Sequence, residues 1–436
     1  MTENAGVRIP LGQRAAVHAA LGIPLLMTAV GTTFTLVGRS ELIEPIRGLD
    51  VRVAVITVTV LCVMTLVAAA ALKRLTLDLT ALFMIAMVAY ASLFGAFQLA
   101  TGDPTYSTRA FWPHLGAGLL IAGGYSVFPL VRSPAERWLG AFLKKYSYAT
   151  FIIVTAYLAV YTVDWYRTGV YWGPSVGALL LSAAWYLANA QPMLATAASV
   201  SILISGKRGP GVALLAMMGL AMMLSGLRSG ARQRLRLLVV IPALAIALVG
   251  AYAWLASASA AGTAPEMLEA TFVKWQYLDV NSGEFDLGLA TAGRSVEIED
   301  ALRDFNQQPT RWLTGTGFGW NFGLSYSEDQ LHYLHFSPLN MVMQYGLPLT
   351  LLFFAFVGRI LIHAARYAIR PAVSDPVLFA LTLFVTASLV EGLFAYMYAV
   401  NPILWVFLGA TAAIVNQKRL GASAIVGSAA QTLARG

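Results

Sequence analysis

Apolar runs of about twenty residues, separated by short gaps rich in Lys and Arg, recur along most of this chain. A run of ~18 or more apolar residues is long enough to cross a bilayer as a helix. Inside lipid every backbone polar group must bond to another, so helix is the form such runs take. Only 11% of the residues are charged, whereas soluble domains carry about 25%, too few here to cover a water-facing surface. The expected class is an all-α polytopic membrane protein. A soluble enzyme, a disordered chain and a coiled coil are excluded. The single cysteine, Cys62, excludes a disulfide within the chain and a cysteine-based metal site.

The hydropathy pattern predicts about twelve spans, at 17–38, 51–72, 79–100, 112–131, 148–165, 174–189, 191–206, 210–227, 237–256, 337–362, 376–396 and 398–415. The first block is too long for a signal-peptide core and reads as an uncleaved span. The resulting organisation is an N-terminal membrane part over 1–256 with nine spans, a large external loop over 257–336, three further spans over 337–415, and a tail over 416–436. The net charge of +8 is a topology signal and not a nucleic-acid one. With the N-terminus inside, 18 of the 29 Lys and Arg fall on the cytoplasmic side with four of the 21 acids. That separation obeys the positive-inside rule and predicts an even span count with both termini cytoplasmic.

The 257–336 gap is long for a loop in a compact protein, and its many aromatic residues argue against disorder. Ala292–Phe305 reads as an amphipathic helix with Ile298, Ala301, Leu302 and Phe305 on one face. A glycine-rich turn follows at Gly315–Gly319. A second polar helix is expected before the span that begins near Ser337. The tail after Lys418 is small and polar enough to be disordered.

All candidate chemistry falls on the expected outer face. The glycine run lacks the Lys-Ser/Thr of a P-loop, so no nucleotide site is expected. Arg208, with Lys207 before it, sits at a tight Gly-Pro break between two spans. A guanidinium there suits phosphate or pyrophosphate; the plainer alternative is a cation snorkelling at a helix end. Arg294 opens the loop helix, where the macrodipole disfavours a cation. An anionic ligand would justify it, and so would a salt bridge to Glu297. Arg167 lies among aromatics that stack on sugars or merely form the interface belt. Arg109 and Arg311 are further outer cations, and Trp320 is among the loop aromatics. His332 and His335 close the loop, where an imidazole beside a lipid head group is placed to take a proton from a hydroxyl. Their spacing suits a helix face, but no carboxylate pattern completes a metal site. Glu391, an acid inside a span, is either a proton carrier or a hydrogen-bonded helix lock.

Taken together, His335 with Gly346 eleven residues on, Pro309 ahead of Gly315, Gly317 and Gly319, Arg294 followed by Ala301 and Leu302, and the Arg208-Gly209 corner resemble the O-antigen ligase and polymerase superfamily. These are bacterial membrane glycosyltransferases of the GT-C class. The matches cover about residues 165–360; Lys207 stands where that family usually has serine. The resemblance implies a metal-independent, inverting transfer without a cofactor. The donor would be a glycan on undecaprenyl pyrophosphate. The acceptor would be a sugar hydroxyl of another lipid-linked repeat unit (polymerase) or of lipid A-core (ligase). It implies His335, Arg294 and Arg208 as catalytic and Arg167, Lys207, Arg311, His332 and Trp320 as substrate-binding. It also implies membrane lipids and a chain-length regulator as partners, and the bacterial inner membrane as the location, with the site facing outward. The rival of another class is a lipid-linked sugar flippase or transporter, whose halves usually repeat; no such repeat is visible here. A lipid II polymerase is a third reading, but its motif is not found.

Overall fold

The structure is a computed structural model that describes residues 78–130, 135–168, 176–205, 207–227, 294–325, 330–370, 375–394 and 402–433, with isolated helical positions near 250. The expected spans at 17–38, 51–72 and 237–256 lie outside the described residues, apart from those isolated positions.

Asp78 starts the first helix, α1 (Leu79–Thr101), by accepting a hydrogen bond from the Ala81 N–H at 2.7 Å, which satisfies one of the orphan donors of a helix N-terminus. α2 (Thr108–Leu130) and α3 (Ala135–Thr168) follow, then α4 (Leu179–Ala188), α5 (Pro192–Ile204) and α6 (Arg208–Leu227). In the second half come α7 (Arg294–Asn306), the single turn α8 (Arg311–Thr314), α9 (Ser337–Tyr345), α10 (Leu347–Ala368), α11 (Pro376–Glu391) and α12 (Pro402–Leu433). Two short strands, β1 (Phe322–Gly323) and β2 (Gln330–Leu331), pair antiparallel in the loop.

α11 is the axle of the bundle. It is apolar all round, almost wholly buried, and packed against α3, α4, α6, α10 and α12, as expected of a helix without a polar face. Among the described residues four helical segments are long and apolar enough to cross a membrane: Leu79–Thr101, Leu139–Val163, Arg208–Leu227 and Leu347–Ala368. Their outward faces expose Leu93, Phe97, Ile152, Met223 and Leu351, side chains that lipid accommodates and water does not. The chain is accordingly a mostly helical membrane protein.

Several expected boundaries change. The span expected at 337–362 is broken at Gly346, which separates α9 from α10 with φ of 81°. α12 runs on as helix through Leu433, where a disordered tail was expected. α3 begins ahead of its expected span and carries Lys144 and Lys145 within the helix. The segments expected as spans six and seven form a short hairpin. α4 has 10 residues and α5 has 13, so they rise about 15 and 20 Å against a hydrocarbon core of about 30 Å. Their turn, with Gln191 Oε1 accepting from the Tyr148 hydroxyl at 3.4 Å, meets α3 nine residues inside the start of its apolar stretch at Leu139. Asn189 ends one helix and Pro192 starts the next.

The external loop also differs. Where a second polar helix was expected, residues 320–333 instead contain the β1–β2 ribbon. The glycine run is a strap laid into a groove of the bundle. Thr316 N–H donates to Met343 O (2.6 Å), Gly317 N–H to Gln344 O (3.0 Å) and Phe318 N–H to Ala91 O (3.0 Å). The α1–α2 turn clasps it from the side: the Tyr106 hydroxyl donates to Thr316 O at 2.7 Å, and Ser107 N–H to Gly319 O at 2.9 Å. Above the strap, Phe305, Ala301, Trp320, Tyr106, Phe322 and Leu334 make a separate small core.

α7 presents the expected apolar face, with Ala301 and Phe305 buried and Ile298 and Leu302 packed beside them. Asp300, expected elsewhere on the helix, is also buried; it accepts from Ser325 N–H and Arg303 Nη1, both at 2.7 Å. Asp300→Ala would strand the Ser325 N–H, a penalty of about 1–3 kcal/mol. The expected outcome is faster cleavage after β1 in limited proteolysis, with the membrane helices intact.

Candidate functional site

The last turn of α11 gathers groups from three distant stretches of chain. Glu391 ends the helix, and the peptide then turns through Gly392, Leu393 and Phe394. The carbonyl of Gly392 accepts from Ser337 N–H at 2.9 Å, fixing the segment just after His335. The carbonyl of Phe394 accepts from Arg294 Nη1. Gly209 lies directly on Phe394 and Glu391, with the place of a Cβ only 3.4 Å from Phe394 Cβ. This close approach brings in Arg208, the first residue of α6.

The structure therefore brings Arg208, Arg294 and His335 together. The charges of Arg208 and Arg294 are near enough to act on one another, and burial is the main cause that holds the Arg294 guanidinium below its ordinary pKa; Arg208 adds to this and Glu297 opposes it. Glu297, one turn after Arg294, does not make the expected salt bridge with it. Its carboxylate takes His335 instead: the His335 backbone N–H donates to Oε1 at 2.9 Å and the ring Nδ1 to Oε2 at 2.9 Å. A carboxylate accepts, so Nδ1 is the donor in this contact and Nε2 is the ring nitrogen left facing away from Glu297. The Glu297 side chain is 7% exposed and that of His335 38%. The ring is thus held from inside and reachable from outside.

Lys207 stands beside this group, its charge bearing on Glu391. Glu391 is buried against Gly177, whose Cβ position lies 2.9 Å from Oε1. Among the described residues Oε2 has no hydrogen-bond partner.

Three other expected substrate contacts are placed elsewhere. Arg311 is buried: it donates to Asp304 O at 3.0 Å and lies over the Trp320 ring, 5.6 Å from its centroid. Trp320 is itself inside the small loop core and packs against Phe305 and Phe322. Both hold the loop together and present no open face to a sugar, because the apolar side of α7 covers them. His332 is half-buried on the other side of the strap. Its carbonyl accepts from His114 Nε2, whose Nδ1 accepts from Gly319 N–H at 3.2 Å. Burial, with the Arg109 charge second, keeps the His332 imidazole below its usual pKa, so it is neutral at pH 7. Arg167 is in the last turn of α3, and its side chain lies outside the described residues. Among the described residues no group of three or more His, Cys, Asp and Glu is placed to hold a metal.

Two contributors are not marked as functional by the sequence. Glu297 reads there only as a partner for Arg294; the three-residue spacing that puts them on one face of α7 is the signal that points to it. The carbonyls of Gly392 and Phe394 have no side-chain signature. Comparison with known proteins gave no match to a family model, to a curated protein or to a solved structure.

Proposed function

We propose that the chain is a membrane glycosyltransferase that moves a glycan from undecaprenyl pyrophosphate to a sugar hydroxyl, acting as a polymerase of lipid-linked repeat units. The observation that carries this reading is the carboxylate-oriented imidazole of His335 beside the Arg208 and Arg294 guanidiniums. The motif resemblance supplies the substrate class. In this reading His335 Nε2 takes the proton of the acceptor hydroxyl as its oxygen attacks the anomeric carbon. The bond from that carbon to the pyrophosphate oxygen breaks, and undecaprenyl pyrophosphate leaves with the bonding electrons. Displacement from the opposite face inverts the anomeric configuration. The guanidiniums stabilise the charge that develops on the leaving group, and Glu297 stabilises the imidazolium that forms. The site would face outward from the bacterial inner membrane, with both termini cytoplasmic. The count of about twelve spans belongs to this proposal.

The test is product analysis in a deletion strain carrying plasmid-borne variants. Loss of long polymer from the lipid carrier supports a polymerase. Finished polymer left on its carrier indicates ligation to lipid A-core instead. Unaltered surface glycan in the deletion strain rejects both. Arg208→Ala and Arg294→Ala are expected to lower transfer by about ten- to a hundredfold each, the value of one hydrogen-bonded charge. Lysine at either position restores charge without the bidentate fork and should recover only part of the loss.

A further inference from the structure

The other end of the bundle holds a second constellation. A cavity of about 90 Å³ opens between α1, α2, α10 and α12, lined among others by Asp78, Tyr125, Arg359, His363, Asn416 and Arg419. It is remote from His335. The strap crosses α1 at Gly95, and Asp78 precedes the first residue of that helix, so about 25 Å of helix separates the two levels.

The cavity is built from two positive edges and one acid that is already engaged. Arg359 and His363 stand one turn apart on α10, Arg419 faces them from α12, and the charges of Arg419, Arg366 and Arg359 all bear on the His363 ring. The Arg359 and Arg419 guanidiniums that line this one cavity repel, and a partly enclosed site strengthens that repulsion. Asp78 is spent on internal bonds: besides capping α1 it accepts from the Tyr125 hydroxyl at 3.2 Å and from Asn416 Nδ2 at 3.5 Å. Lys418, next in sequence to Arg419, pairs instead with Asp375 at 3.6 Å. Cations that serve only to orient the chain need no particular arrangement. Here two helices distant in sequence aim theirs at one cavity.

We propose that this cavity binds a phosphate-bearing anion, either the head group of an anionic phospholipid or free phosphate, clamped between Arg359 and Arg419. Planar guanidiniums from two adjoining helices match phosphate oxygens better than a halide. The proposal stands apart from the glycosyltransferase reading and uses none of its residues.

The experiment measures binding to the purified full-length protein in neutral detergent. The probes are phosphatidylglycerol, phosphatidylcholine, inorganic phosphate, and chloride at matched ionic strength. The readout is the apparent dissociation constant from the thermal midpoint as a function of probe concentration. Phosphatidylglycerol is expected to raise the midpoint saturably, and Arg359→Gln and Arg419→Gln to weaken its binding by about tenfold or more. Arg370→Gln, which alters a cation stacked on Tyr367 at the same end, should bind as the unaltered protein does. A response to phosphatidylglycerol alone identifies a lipid site; a saturable response to inorganic phosphate as well identifies a site for the phosphate group itself. The proposal is overturned if neither probe exceeds its phosphatidylcholine or chloride control. It is equally overturned if Arg370→Gln weakens binding as much as the cavity variants, since the effect would then be surface charge.

Discussion

His335→Ala is expected to lower glycan transfer by about 10²–10⁴-fold, the usual contribution of a positioned acid–base group, with the protein still inserted in the membrane at its normal level. The ring bonds through Nδ1 to Glu297, so alanine removes the base without taking a side chain out of the bundle core. Removal takes the ring Nδ1 away from the buried Glu297 carboxylate and leaves it the backbone N–H of residue 335, at 2.9 Å, as a partner. A structural role for the histidine would therefore show as loss of folded protein and not only of product. Quantifying lipid-linked product together with membrane-inserted protein separates the two. Glu297→Gln keeps the size of the side chain and loses its charge; its activity should fall between that of the unaltered protein and His335→Ala, chiefly in kcat, because an imidazolium forms only during the reaction. Full activity in His335→Ala would remove the imidazole from the proposed mechanism.

Gly346→Ala is expected to undock the loop. At φ of 81° a side chain costs about 1–3 kcal/mol in backbone strain. The larger penalty is steric: a Cβ at this position would stand 2.3 Å from Leu313 O and 3.0 Å from Gly315 N. Backbone atoms on both sides of the strap would have to retreat, breaking the bonds from Thr316 and Gly317 to Met343 and Gln344. The expected result is full membrane insertion, rapid proteolysis between α7 and α9, and no transfer. Gly102→Ala is the comparison for a positive φ without crowding. Its φ of 77° and ψ of 24° lie in the left-handed helical region, less strained than the 81° and 158° of Gly346, and the space around the missing side chain is open, so the loop should stay protected. Equal protease resistance of the two variants would show that neither the backbone conformation nor the close packing at Gly346 seats the strap.

The sequence announces the long apolar helices because their signal is one of length and composition, and α1, α2 and α6 lie close to where that signal puts them. It says less about length where apolar segments are short: α4 and α5 are as apolar as the longer helices but have 10 and 13 residues, and the turn between them is set by its contact with α3. The break between α9 and α10 is marked by a single glycine, which hydropathy averages away. At the candidate site, the grouping of Arg208, Arg294 and His335 was expected from motif order, but what joins them was not. Carbonyl groups of Gly392 and Phe394 do so, and every residue type has a carbonyl. Arg311 and Trp320 show the converse error. An arginine and a tryptophan in an external loop look like ligand contacts until the small core that encloses them is seen.

The four residues from Glu391 to Phe394 have a mechanical consequence. Because the anchors of α6, α7 and the histidine segment all rest on this one stretch of main chain, their mutual spacing is set by bond lengths and torsions within a few ångströms of peptide. Breathing of the surrounding helices would carry the whole assembly as a rigid unit, much as parts bolted to one bracket move together. A lesion anywhere along α11 that rotates its end would then disturb all three groups at once, and distance from the chemistry would give such a position no immunity.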